Sequence, residues 1–331
     1  MRLLYSALLT LNLIPQLAFA DIYSASEALS RGDYSAAATE FKRLAEAGDD
    51  RAQANLGYMY YAGEGLPQDY QQAVYWYKKA AVQGNRDAQY NLAVSYAFCE
   101  GVAQDLTEAA IWYRRAGEQG HVVSQYSLGI SYIYGEGVPQ DANEAARWFK
   151  QAADQGYARA QVHLGSMYHT GEGVKQDYAE AVKWYRMAAD RGDATAQYNL
   201  GIMYRSGRGV EQNYAQAKRW FRQSADQGYA AAQNELASLE RSTAANIATR
   251  TVQEKPGIVE ESKQESAIKT SPETAALTAA TITAEQTIQA VKTEKKPLFT
   301  VEKNNLLTLD ESQLDIAEVE TTSEIENTPE P

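Results

Sequence analysis

The sequence predicts an all-α protein, an α/α superhelix of antiparallel helix pairs, followed by a tail with no fold of its own. Three observations carry this. First, the stretch AQANLGYMYYAGEGLPQDYQQAVYWYKKAAVQGNRD at 52–87 returns at 88, 124, 160 and 196, and its opening returns at 232. Second, large side chains keep phase with that spacing: Trp76, Trp112, Trp148, Trp184 and Trp220 are all the tryptophans in the chain. Leu56, Leu92, Leu128, Leu164 and Leu200 hold a second register, and Tyr60, Tyr96, Tyr132, Tyr168 and Tyr204 a third. Third, glycine and proline punctuate every copy at the same places. A period between about 20 and 50 residues is the mark of stacked structural units. Such stacks grow without needing one globular core.

The chain of 331 residues opens with MRLLYSALLTLNLIPQLAFA. Arg2 is a short basic start, Leu3 to Leu13 an apolar run, and Ala18 and Ala20 give A-x-A before Asp21. This pattern predicts a secretory signal peptide over 1–20, cleaved at Ala20/Asp21, and a periplasmic or secreted product. The apolar run is too short to span a bilayer, and no integral membrane segment is expected in the mature chain. The net charge of −12 argues against nucleic acid and anionic membrane surfaces as partners. Cys99 is the single cysteine, so no internal disulfide is expected. It stands where other copies carry Gly63, Gly135, Gly171 and Gly207.

Within a unit, helix A is expected from Ala52 to Ala62. Ala52, Leu56 and Tyr60 fall at i, i+4 and i+8 on one face. Gly57, a poor helix residue by about 1 kcal/mol, recurs as Gly129, Gly165 and Gly201, with Ala93 in the second copy. A small residue at one helical register points to a close crossing by a neighbouring helix. GEGLPQD then turns the chain. Asp69 and its counterparts Asp105, Asp141, Asp177 and Asn213 cap helix B, expected over Tyr70 to Gln83. Ala73, Trp76, Tyr77 and Ala80 form its apolar stripe. Gly84 ends it with positive φ. Small residues alternate with large ones, so helices can interlock only when units stack in register.

The ends differ from the middle. Residues 21–51 form an N-terminal capping unit in which DYSAAATEFKRLAEAG aligns with helix B and Glu40 replaces the tryptophan. Five full units occupy 52–231, and a capping helix is expected over 232–250, with Glu240 in place of the tyrosine. From 242 onward Phe299 is the only aromatic residue, and 16 acidic against 8 basic residues leave a net −8. Residues 251–331 are therefore expected to be a disordered acidic tail. KKPLFTVEKNNLLTLD, 295–310, is its most apolar part and is able to dock.

Little in the chain speaks of chemistry. His163 and His169 are six apart, so on a helix they point about 240° apart, and paired metal ligands favour i, i+4. His121 is the third histidine; no carboxylate spacing repairs the mismatch, and no cysteine pair exists. The GEG loops follow helices, whereas the dinucleotide fingerprint follows a strand. Glu64, Glu100, Glu136 and Glu172 recur as the repeat recurs, and Arg208 breaks the series. No catalytic residue, metal site or cofactor is expected.

The residues A-Q-x-x-L-G-x-x-Y, G-x-G-V-x-Q-D and A-x-x-W-Y/F-x-x-A-A-x-x-G resemble the Sel-one-like repeat (SLR) family, a tetratricopeptide-like (TPR-like) branch of helical repeats. The resemblance implies right-handed stacking and a role as an adaptor or scaffold that binds another protein or peptide. In such stacks helix A lines the concave side. The residues two before, two after and five after the shared leucine would then face the groove. With Ala54 they are Tyr58 and Tyr61; then Tyr90, with Val94 and Ala97; then Tyr126, Ile130 and Ile133; then Val162, with Ser166, and His169; then Tyr198, Ile202 and Arg205. Because these registers vary while the leucine, tyrosine and tryptophan registers hold, packing is not expected to dictate them. Tyrosine and aliphatic side chains suit an amphipathic partner. No lysine stands at these registers, so a two-carboxylate clamp is not expected. Two rival readings are an enzyme on the same scaffold, acting on cell wall or binding β-lactams, and a periplasmic sensor regulated by its tail. The β-lactam-associated members carry paired cysteines that this chain lacks.

Overall fold

The computed structural model describes residues 22–253, 299–301 and 307–309, with side chains placed over 22–241. Residues 1–21, expected to hold a signal peptide, and nearly all of the tail lie outside the described residues. The chain divides into two units, Tyr34–Thr270 and the pair of segments Met1–Asp33 and Ser271–Pro331. In the second of these, α1 covers residues 22–30. There too β1, Phe299–Val301, pairs antiparallel with β2, Leu307–Leu309, a short hairpin in a tail expected to be without regular structure. Its residues are β-branched, leucine or aromatic, which favour extended pairing.

The repeat unit is a run of helix pairs. Helix α2 spans Tyr34–Glu46. Then come α3 (Asp50–Ala62) with α4 (Tyr70–Val82), and α5 (Arg86–Phe98) with α6 (Leu106–Glu118). Next are α7 (Val122–Tyr134) with α8 (Ala142–Asp154), and α9 (Ala158–Thr170) with α10 (Tyr178–Ala189). The stack closes with α11 (Ala194–Ser206), α12 (Tyr214–Asp226) and a longer α13 (Ala230–Gln253). From α2 to α13 each helix packs on the next in the chain. Helix A starts two residues earlier than the leucine phase suggested, because its caps are Asp49, Asn85, His121, Tyr157 and Asp193. Four of these accept a first-turn N–H through the side chain; Tyr157 makes no such bond. Helix B ends at Val82, with Gln83 as its cap and Gly84 at φ 99.

The core follows the alternation of sizes. Leu56, Leu92 and Leu128 are wholly buried, with Ala73, Ala80, Tyr77 and Trp148 beside solvent only in traces. The glycine of helix A is the crossing point. A Cβ on Gly57 would lie 2.6 Å from Tyr77, and one on Gly129 would lie 2.6 Å from Phe149. The second glycine of each loop locks one unit to the last: a Cβ on Gly101 would overlap the carbonyl of Tyr70, the first residue of the preceding helix B. Gly101 also has φ 73, so both sterics and backbone select glycine there. The glutamine of each loop caps helix A, as where Gln140 Nε2 donates to the Ile133 carbonyl at 2.8 Å. Cys99 is exposed, ends α5 at φ 60, and is the non-glycine residue with positive φ among the described residues.

A buried polar ladder runs through this apolar stack. Gln125 Nε2 donates to the Gly117 carbonyl at 2.9 Å, and Gln155 Nε2 donates to Gln125 Oε1 at 2.8 Å. Gln53, Gln89 and Gln197 repeat both bonds, with donors Gln83, Gln119 and Gln227. One side chain thereby ties the ends of two successive B helices to the A helix between them. At the fourth unit the donor is replaced by Arg191, which bonds to the Gly156 carbonyl instead, and Gln161 Oε1 is left buried without a partner.

Candidate functional site

The helix-A residues proposed for a groove separate into two sets. Tyr90, Tyr126, Val162 and Tyr198, two before the leucine, are buried, and so is Tyr58, two after it. They belong to the packing between units. Tyr90 lies 4.6 Å from the His121 ring, Tyr126 lies 5.1 Å from Tyr157, and Tyr198 lies 5.2 Å from Tyr229. Each partner is the residue at the start of the next helix A. Where the earlier register is small, as at Ala54 and Val162, the later one is Asn85 or Asp193, a capping side chain with no ring. The two registers vary together, so packing does dictate the first of them, contrary to the expectation drawn from its variability alone. Juxtaposing the two registers in the sequence would have exposed the pairing.

Tyr61, Ile130, Ile133, His169, Ile202 and Arg205 are half-buried and reach the surface. The five-after-leucine row lies against the loop of the next unit. The Tyr61 hydroxyl donates to Glu100 Oε1 at 3.3 Å. His169 lies 5.5 Å from the Tyr178 ring, and the Arg208 guanidinium lies 5.5 Å from the same ring. Burial and the nearby Glu100 charge push the Tyr61 phenol well above its ordinary range. Burial and then Arg208 pull the His169 imidazole down. Arg205 is paired with Glu235 of α13. Glu64 is half-buried, and that burial raises its carboxyl.

The remaining histidines serve structure. His121 Nδ1 accepts from the Ser124 N–H at 3.1 Å, and burial pushes the ring down to about 3. His163 Nε2 lies 3.2 Å from the Tyr126 hydroxyl and its ring stacks 5.0 Å from Phe149; burial, with Arg159 adding to it, pushes it down to about 4. Among the described residues no group of three His, Cys, Asp or Glu side chains is placed to hold a metal ion, and no helix is long and apolar enough to cross a membrane.

A stack of helix pairs with a half-exposed strip along its A helices defines a class, the helical-repeat interaction scaffolds. The Sel1 repeat model matches residues 50–85, 86–121, 122–157, 158–193 and 194–229, and the chain belongs to the Sel1 repeat family. Proteins of this family are generally protein-interaction scaffolds. Among solved structures the chain is similar to c5321, a protective antigen of uropathogenic Escherichia coli strains with an SLR fold. Identity is 41%, coverage 69% of this chain and 50% of that one, and the TM-score 0.65. It is also similar to a Sel1 repeat protein from Oxalobacter formigenes, at 32% identity, with 66% and 87% of the two chains covered and a TM-score of 0.60. The match spans about half the length of the E. coli protein. No curated protein matches the chain.

Proposed function

We propose that this protein is an exported, non-enzymatic adaptor that holds another protein or peptide along the surface strip of its A helices. The observation that carries the reading is the half-exposed aliphatic pair Ile130 and Ile133, three residues apart on α7 in the middle of the stack. Leu128 on the same helix is wholly buried, whereas these two keep part of their surface in water. An apolar centre with a polar rim is what partner segments bury. Export rests on Arg2, the run from Leu3 to Leu13 and the Ala18–Ala20 motif. The partner would then be a component of the envelope or of a secreted complex.

The experiment is the double substitution Ile130→Ser with Ile133→Ser, followed by capture of partners from extracts of the source cells. The adaptor reading expects lost capture with thermal unfolding unchanged within a few degrees. Capture at the parental level by the folded double variant would reject it.

A further inference from the structure

The surface strip carries a regular charge pattern that the fold does not need. In the windows 55–65, 91–101, 127–137 and 163–173 the only residue with a full charge is the loop glutamate: Glu64, Glu100, Glu136 and Glu172. In the fifth window, 199–209, the same loop place is Arg208, and the window's other cation, Arg205, is already paired with Glu235. The strip therefore reads as four carboxylates, one per unit, ending in one guanidinium. The loop itself does not call for the carboxylate. Gly207 and Gly209, around Arg208, have φ 71 and 69, against 75 and 71 for Gly63 and Gly65 around Glu64. The backbone is the same with either charge.

The carboxylates lie along the apolar strip. Tyr61, in the row that also holds Ile133, bonds to Glu100 of the next unit, and His169 in that row stands beside the ring that Arg208 covers. Glu64, Glu100 and Glu136 are half-buried and Glu172 is exposed. A carboxylate partly withdrawn from water, as at Glu64, Glu100 and Glu136, gains most from an opposite charge laid against it.

Resting on the adaptor reading above, we infer that the strip takes a cationic amphipathic segment. Its apolar face covers Ile130 and Ile133. Its lysines or arginines meet Glu64, Glu100, Glu136 and Glu172 in turn. Arg208 repels a further cation, so the basic run ends before the fifth unit and the register of the segment is fixed. Specific pairing of this kind acts on register and encounter more than on raw affinity, and weakens as salt rises.

The test uses the full-length chain and a fluorescent amphipathic helix of lysine and leucine, about 18 residues or five turns long. A glutamate–leucine peptide of the same pattern is the charge-inverted probe. One variant carries Glu64→Gln, Glu100→Gln, Glu136→Gln and Glu172→Gln. A control of equal charge change carries Glu118→Gln, Asp154→Asn, Asp190→Asn and Asp226→Asn, all exposed near the ends of B helices. Anisotropy titration should show the lysine peptide weakened roughly tenfold or more by the first set and less than about twofold by the control. The charge-inverted peptide should bind the parent more weakly than the lysine peptide does. Equal weakening by both sets, or equal binding of the two peptides, would overturn the inference. If Ile130→Ser with Ile133→Ser abolishes peptide binding while the glutamine set leaves it intact, the cationic partner is rejected and the groove stands. If neither set has an effect, both are rejected.

Discussion

Gln155 donates to Gln125 at 2.8 Å, and 36 residues further on in sequence Gln161 has no such donor because Arg191 stands where the glutamine should be. A buried amide oxygen without a partner costs about 1–3 kcal/mol. Arg191→Gln should restore the ladder and raise stability by roughly 1 kcal/mol, since the arginine's bond to the Gly156 carbonyl is lost in exchange. Urea unfolding measures this. A midpoint unchanged or lowered would mean that the ladder is not a unit of stability.

In the third unit the ring of Phe149 lies directly against Gly129. A Cβ on Gly129 would sit 2.6 Å from the ring, so either the ring or the helix has to move. Helix propensity favours alanine by about 1 kcal/mol, but overpacking costs about 1–3 kcal/mol. Gly129→Ala should therefore destabilise by roughly 1–2 kcal/mol, and less in a background already carrying Phe149→Leu. Simple additivity of the two substitutions would contradict the crossing.

Acid should weaken the stack through its buried imidazoles. The His163 ring, stacked on Phe149 beside the Tyr126 hydroxyl and facing the Arg159 charge, is pushed from 6.5 down to about 4. The unfolded chain then binds more protons than the folded one between these values. Stability is full above pH 6.5, falls as pH drops toward 4, and is not reduced further by this group below that. Asparagine fills this register at Asn55, Asn91 and Asn199, so His163→Asn is a natural replacement. It should flatten the decline by on the order of 1–2 kcal/mol, allowing for the part of the ring that meets water. An unchanged slope in denaturant midpoints across that range would exclude this residue as the source; His121, pushed to about 3, would remain to be tested in the same way.

The helix pairs, the leucine and tryptophan core and the crossing at Gly57 and Gly129 were legible because each rests on one residue type repeated in phase. The packing role of the inward tyrosines is hidden in the sequence for a physical reason. Tyr90 and Tyr126 vary with His121 and Tyr157, not independently, and a side chain whose contact is in the next unit looks unconstrained when its own unit is read alone. The helix-A starts are hard to see in the sequence because their caps differ in kind: aspartate, asparagine and histidine bond through the side chain, whereas Tyr157 does not. The glutamine ladder left a visible signal in the A-Q pair, a polar residue held at an inward register, but its partner lies 30 residues away and is itself only a helix-end glutamine.

The central claim is that partners meet the A helices and not the B helices. The most direct measurement places a photoreactive benzoylphenylalanine at Ile133 on α7 in one variant and at Met187, exposed on α10, in another. After irradiation in the source cells, the account predicts a discrete crosslinked product from position 133 and none from position 187. A product from position 187 with none from 133 would contradict it.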